Sequence, residues 1–296
     1  MTERSLTVPR GAVLVGVDGS DHSLAAVRWA AEEAGSRRAP LVIMHAAPRV
    51  RALATERSGA YGHAHALLTQ AEAEATAHGV ATADHVVVAD GAVPALVHAS
   101  QRAALVVLGA TGSGGAGEIV LGSTLLAVSG QTRCPVVGVR RWPLEPSVQR
   151  AVVVGVASVR ADEPAVEIAF DLARRRCRRL VVVHTRSLSA AGLPDELAAW
   201  RGRYPEVDVS YRFPCTQPAT ALLELAARAE AVVTGSRHRG PAARALLGST
   251  SRTVLRYSPA PVVVTGRGPV ETTEAEPSTS RMPAPESDPH DRAQLW

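Results

Sequence analysis

Short apolar runs recur along the chain, each separated from the next by a stretch with helical periodicity. Ala12–Val17 (AVLVGV) is apolar and β-branched, which predicts a buried strand. Asp18-Gly19-Ser20 makes the turn. Ser20 or Asp21 caps the helix SLAAVRWAAEEAG, expected to stop at Gly35. Leu41–His45 is the second predicted strand, and a helical stretch, ALLTQAEAEATAHG, ends at Gly79. His85–Ala89 is the third strand, Val93–Arg102 a helix and Leu105–Leu108 the fourth strand. A glycine-rich loop follows, then a helix to about Gln131 and a fifth strand over Cys134–Val139. Strands apolar along their whole length, alternating with helices, predict an α/β fold whose parallel sheet is covered on both faces.

After Pro143–Arg150 the pattern starts again. VVVGVASVRADEPAVEIAFDLA (152–173) aligns without a gap to VLVGVDGSDHSLAAVRWAAEEA (13–34), an offset of 139, and Leu180–His184 matches Leu41–His45 at the same offset. VVTGSRH (232–238) matches VVLGATG (106–112) at an offset of 126. Leu247-Gly-Ser-Thr250 matches Leu121-Gly-Ser-Thr124, and Ala260-Pro261-Val-Val matches Cys134-Pro135-Val-Val, both still at 126. Two constant offsets joined by one deletion of 13 residues, placed around residues 47–80, indicate an internal duplication. The expected organisation is a domain over 1–142, a linker over 143–150, a second domain over 151–267 and a Glu-, Pro-, Ser- and Thr-rich disordered tail over 268–296.

Composition narrows the function classes. With 46% hydrophobic residues but 3% aromatic, the cores must be built from Val, Leu, Ala and Ile. All 32 basic residues are Arg, a sign of codon bias rather than of chemistry, and the net charge is only +4. The Arg174–Arg179 cluster falls at a predicted helix end and reads as a solvated terminus. A nucleic-acid surface would want aromatic partners that are missing there, so no nucleic-acid partner is expected. Cys134, Cys177 and Cys215 form no CxxC pair, which suggests a reducing compartment and no metal site. The absence of a signal-like start and of any long apolar run leads us to expect a cytoplasmic protein without membrane insertion.

Residues 105–124, LVVLGATGSGGAGEIVLGST, carry the candidate chemistry. A strand ends at Gly109, and a glycine-rich loop leads to Gly122-Ser123-Thr124 at the start of a helix. Glycines let backbone N–H groups approach phosphate oxygens, and a helix start adds unpaired N–H groups. Gly112–Gly117 fits GxGxxG, but it follows a late strand and lacks the acidic residue that reads a ribose. A Walker loop needs a lysine, and the chain has none. The spacing that does fit is Gly109, two residues, Gly112, nine residues, Gly122-Ser123, and it resembles the ATP-binding signature of the universal stress protein family. The resemblance extends over both halves. It implies two tandem doubly wound (Rossmann-like, adenine nucleotide α-hydrolase-like) domains, each with a five-stranded parallel sheet of order 3-2-1-4-5, paired through their last strands at 135–139 and 261–265.

The resemblance also implies a ligand, ATP with or without Mg2+, and site residues. Asp18, beside Gly16, would hold the adenosine part, although a turn or cap residue is the alternative for Asp18. Ala46 would meet the adenine through its backbone, while the preceding His45 is read as a packing residue. Gly109, Gly112, Gly122, Ser123 and Thr124, with the backbone of Ala110, Thr111, Ser113, Gly114 and Gly115, would surround ribose and phosphates. In the second half Ala157 replaces Asp18 and His238 replaces Gly112, so Gly155, Thr185, Gly235, Gly248, Ser249 and Thr250 are expected to form a weak second site at most. No catalytic triad, paired carboxylates or metal cluster stands out. The expectation is a nucleotide-dependent regulator in stress adaptation rather than an enzyme. A slow ATPase, autophosphorylation on Ser113 or Ser123, and a nucleotide-free scaffold are the alternatives. A homodimer is left open, and no protein partner is specified.

Overall fold

The computed structural model describes residues 8–47, 54–88, 91–111, 121–142, 150–184, 192–235 and 247–265. The predicted linker, apart from Arg150, and the predicted tail lie outside them.

The first half runs β1 (Val13–Gly16), α1 (Asp21–Arg37), β2 (Leu41–Ala46), α2 (Ala54–Ala77), β3 (Asp84–Val88), α3 (Ala92–Ala99), β4 (Leu105–Gly109), α4 (Ser123–Ser129) and β5 (Val136–Val139). The second half runs β6 (Ala151–Gly155), α5 (Glu163–Arg175), β7 (Arg179–Val183), α6 (Leu193–Glu196), α7 (Ala198–Arg203), β8 (Val209–Arg212), α8 (Pro218–Ala226), β9 (Ala229–Thr234), α9 (Ser249–Tyr257) and β10 (Val262–Val264). The strands form one sheet in the order β3-β2-β1-β4-β5-β10-β9-β6-β7-β8. Each half therefore has the order 3-2-1-4-5, parallel throughout. The halves meet where β5 and β10 pair antiparallel, Val262 opposite Gly138 and Val264 opposite Val136. Among the described residues no helix is long and apolar enough to cross a membrane.

Successive strand residues alternate between two cores. Val13, Val15, Leu41 and Ile43 pack under α1 and α2, while Leu14, Val42 and Met44 pack under α3 and α4. Covering on both faces explains why the strands carry no polar alternation. The duplication reaches single bonds. His45 Nδ1 lies 2.8 Å from the Val17 carbonyl oxygen, and His184 Nδ1 lies 2.9 Å from that of Val156, at the same offset. The deletion falls between the second and third strands of the repeat: the 24-residue α2 is matched only by the short α6 and α7, of 4 and 6 residues.

Two expectations are corrected. Helix α1 does not stop at Gly35 but runs to Arg37. Arg38 supplies the left-handed cap at φ 52°, its N–H reaching Ala34 and Gly35 carbonyls, and Pro40 follows. A glycine with open space around it was no obstacle to one more half-turn. The arginine cluster is not a solvated terminus. Arg175 and Arg176 cross to α1 of the other half. Arg175 Nη1 lies 2.7 Å from Glu33 Oε1, and Arg176 Nη1 lies 2.7 Å from Glu32 Oε2. The Arg176 guanidinium sits 5.6 Å from the ring centres of both Trp29 and Trp142.

Candidate functional site

The winding of the first half reverses between β1 and β4. Helices α1 and α2 lie on one face, α3 and α4 on the other, so the loops leaving β1 and β4 diverge and a crevice opens at their carboxyl ends. A cavity of about 400 Å³ occupies this place. It is within the range of about 300–1,000 Å³ that small-ligand sites usually occupy.

Eight residues singled out from the sequence line this one cavity: Gly16, Asp18, Ala46, Gly109, Thr111, Gly122, Ser123 and Thr124. Ala110 is buried behind the wall and fixes it. Its N–H donates to Val139 O at 2.8 Å, and its carbonyl accepts from Gly122 N at 2.8 Å. The latter bond closes the neck of the glycine-rich segment, so Thr111 and Leu121 leave the wall at one point. Gly112, Ser113, Gly114 and Gly115 lie outside the described residues.

The turn after β1 is built by side chains. Asp18 Oδ1 accepts from Ser20 N at 3.0 Å and from Ser20 Oγ at 2.6 Å. Ser20 Oγ in turn accepts from Ser23 N at 3.2 Å, capping α1. Asp18 thus serves the turn and also presents an exposed carboxylate to the cavity. Gly109 is required by the protein itself: a Cβ there would lie 2.8 Å from the carbonyl carbon of His22, because the first turn of α1 rests on the end of β4. Gly122 is different, since among the described residues a Cβ there would come no closer than 3.4 Å, to Ala110 O.

Sequence reasoning missed the apolar wall formed by Met44, Ala92, Leu96, Leu108, Leu121 and Leu125. Strand parity carried a signal for part of it: Met44 is in register with Gly16 and shares its core with Leu108. It also missed His22, whose Nδ1 hydrogen-bonds the Thr111 hydroxyl and ties the start of α1 to the start of the glycine-rich segment. His45, read as a packing residue, borders the cavity while its Nδ1–H holds the Val17 carbonyl. Burial pushes the Cys134 thiol up to about 12. Among the described residues no group of three or more His, Cys, Asp or Glu could hold a metal ion.

Comparisons with known proteins bear on the family and the fold. A sequence model described as the universal stress protein family matches residues 10–140 and 188–266. Universal stress protein Rv2623 of Mycobacterium tuberculosis is 34% identical, covering 85% of this chain and 95% of its own length. The chain belongs to the universal stress protein family. A second relative, universal stress protein Mb2028c of Mycobacterium bovis, is 33% identical over 85% of this chain and 96% of its own. The crystal structure of a universal stress protein from Archaeoglobus fulgidus DSM 4304 shares the fold, with a TM-score of 0.68 at 20% identity over 87% of this chain and 98% of that one.

At the matching positions the second half of this family member repeats two arrangements and changes one. Gly155 ends β6 against Leu222, to which a Cβ would approach within 2.9 Å. Gly248 precedes α9, with Ser249 and Thr250 in its first turn. Gly235 follows β9 and lies against the Asp162 carboxylate. Thr185 and His238 lie outside the described residues.

Proposed function

We propose that the first half binds an adenine nucleotide, ATP by the family signature, and that occupancy of this site regulates the protein in stress adaptation. The observation that carries the reading is the convergence of Gly16, Asp18, Ala46, Gly109, Thr111 and Gly122–Thr124 on one cavity at the switch point of the sheet. These residues come from four separate stretches of chain, and no packing requirement of the protein explains all of them. Among the described residues, Gly122 in particular leaves room for a methyl group.

In this reading the apolar wall of Met44, Leu96 and Leu108 would take the base, Asp18 would accept hydrogen bonds from the ribose, and the backbone and hydroxyls around Gly122–Thr124 would donate to phosphate. Mg2+ enters only as a companion of the phosphates. The site is read as a binding site rather than a catalytic one. The test is to purify the full chain, denature it, and measure released nucleotide by chromatography for wild type and Asp18→Ala. Stoichiometric ATP in wild type, lost in the variant, is expected. An empty wild-type protein that also fails to bind added ATP would overturn the reading. ADP in place of ATP would move the assignment to a slow ATPase.

A further inference from the structure

The loops leaving β1 and β4 form the crevice of the first half, and a run of polar side chains joins them. Asp18, after β1, accepts from the backbone N and from the hydroxyl of Ser20. The Ser20 hydroxyl accepts from Ser23 N, and the Ser23 hydroxyl donates back to Ser20 O at 2.8 Å. Between these two serines His22 reaches across to the end of β4, where its Nδ1 hydrogen-bonds the Thr111 hydroxyl. Gly109 makes the approach possible, since a Cβ there would lie 2.8 Å from the His22 carbonyl carbon and 3.1 Å from the His22 Cβ. Thr111 lines the cavity and is nearly buried. Its Cα would be 3.7 Å from a Cβ on Gly122, which places it beside the start of α4.

The repeat shows that the fold does not require this run. By the offsets of 139 and 126, Asp18, Ser20, His22 and Thr111 correspond to Ala157, Val159, Ala161 and Arg237. All four side chains change together, in the half where His238 also replaces Gly112. The equivalent turn is held there by Asp162, whose Oδ2 accepts from Ala157 N at 2.7 Å and from Ser158 N at 3.3 Å. The turn can thus be closed without those side chains, and what the run adds is a fixed place for Thr111. A threonine hydroxyl can otherwise turn about χ1 toward its own backbone or toward a neighbour. The imidazole holds one orientation before a ligand arrives, and such preorganisation raises affinity by lowering the ordering cost of binding.

We infer that His22 is a positioning residue of the first-half site, acting through Thr111 on the phosphate part of the ligand and not on its adenosine part. The inference rests on the nucleotide reading of that site. In that reading Met44, Leu96, Leu108 and Asp18 meet the base and ribose, whereas Thr111 stands with Gly122–Thr124 at the phosphates.

The test is calorimetric titration of the full-length protein with ATP and with adenosine. His22→Ala is expected to weaken ATP binding roughly three- to tenfold, as for one neutral hydrogen bond, and to change adenosine binding less than about twofold. His22→Asn, whose amide sets a polar atom near the place of Nδ1, should bind ATP within about twofold of wild type. Thr111→Val should weaken ATP at least as much as His22→Ala, and the double variant should lose nothing further. This cycle separates the route through Thr111 from any other contact of the imidazole, and it decides on ATP alone if adenosine binds too weakly to titrate. Wild-type ATP affinity in His22→Ala, equal weakening of ATP and adenosine, or additive losses in the double variant would overturn the inference and leave the nucleotide reading standing. If His22→Ala does not fold, Thr111→Ser and Thr111→Val decide: the serine keeps the hydroxyl and should bind ATP as wild type does, and a valine that binds equally well would overturn the inference. A wild-type protein that binds neither ligand overturns the nucleotide reading itself, and this inference with it.

Discussion

A methyl group on Gly109 would sit 2.8 Å from the His22 carbonyl carbon and 2.9 Å from the Ser23 nitrogen. Both are backbone atoms of a capped helix and cannot swing aside. Gly109→Ala is therefore expected to destabilise the protein by about 1–3 kcal/mol, read as a lower melting temperature. Among the described residues Gly122→Ala meets nothing closer than 3.4 Å, and it should leave the melting temperature within about 2 °C of wild type. If Gly122→Ala nevertheless loses nucleotide affinity, the glycine serves the ligand; if both variants melt alike, this distinction between the two glycines is wrong. The sequence presented both positions as members of one spacing. Only the packing of α1 on β4 separates a glycine kept for the fold from one free of that demand.

Between elements, α1 and α5 are joined by a network of charges. Glu33 is 1% exposed, with Arg37, Arg175 and Arg176 around it. Burial alone would push its carboxyl up, but the Arg175, Arg37 and Arg176 guanidiniums outweigh that and hold it below the ordinary range. Asp171 follows the same logic, burial opposed and outweighed by Arg174, Arg175 and Arg37. A carboxylate with a lowered pKa in the folded state adds stability above its unfolded pKa, and that stability is lost as pH falls through the folded value. Thermal stability is thus expected to fall steadily below about pH 4.5. Glu33→Gln should lower it at pH 7 by about 2–4 kcal/mol and flatten the acid limb, as followed by melting curves between pH 7 and pH 3. An acid limb as steep as that of wild type would show that Glu33 is not the group responsible. The Arg174–Arg179 cluster was visible in the sequence, but Glu32 and Glu33, the partners of Arg175 and Arg176 in the other half, lie more than a hundred residues away.

At the scale of the whole molecule, one sheet passes through both halves by way of β5 and β10. Gly138 lies on this seam, and a Cβ there would stand 2.8 Å from both Leu125 of α4 and Leu255 of α9, one from each half. Gly138→Val should cost about 1–3 kcal/mol, because two leucines must move. Differential scanning calorimetry should show both halves shifting together, since each contributes a displaced side chain. A shift confined to one of two resolved transitions would mean that the halves are independent at this point. The seam also removes two sheet edges that would otherwise be open to pairing with other chains.

By itself the sequence determined the five strands of the first half, the duplication, the place of the deletion and the spacing of the first-half loop, while the order 3-2-1-4-5 came from the family resemblance. These are properties of local apolar runs and of repeated offsets, and burial on both faces leaves a plain mark on composition. The site was legible to the extent that glycines, Asp18 and hydroxyls recur at fixed intervals. Its apolar wall was not, because Met44, Leu96 and Leu108 resemble every other core residue until the sheet shows which of them face the crevice. Tertiary structure alone decided three things: that Arg175 and Arg176 bind the other half, that Gly109 carries a helix, and that Asp162 turns inward onto Ala157 and Gly235. Each depends on which distant backbone or charge lies within a few ångströms, and the order of residues along the chain does not contain that distance.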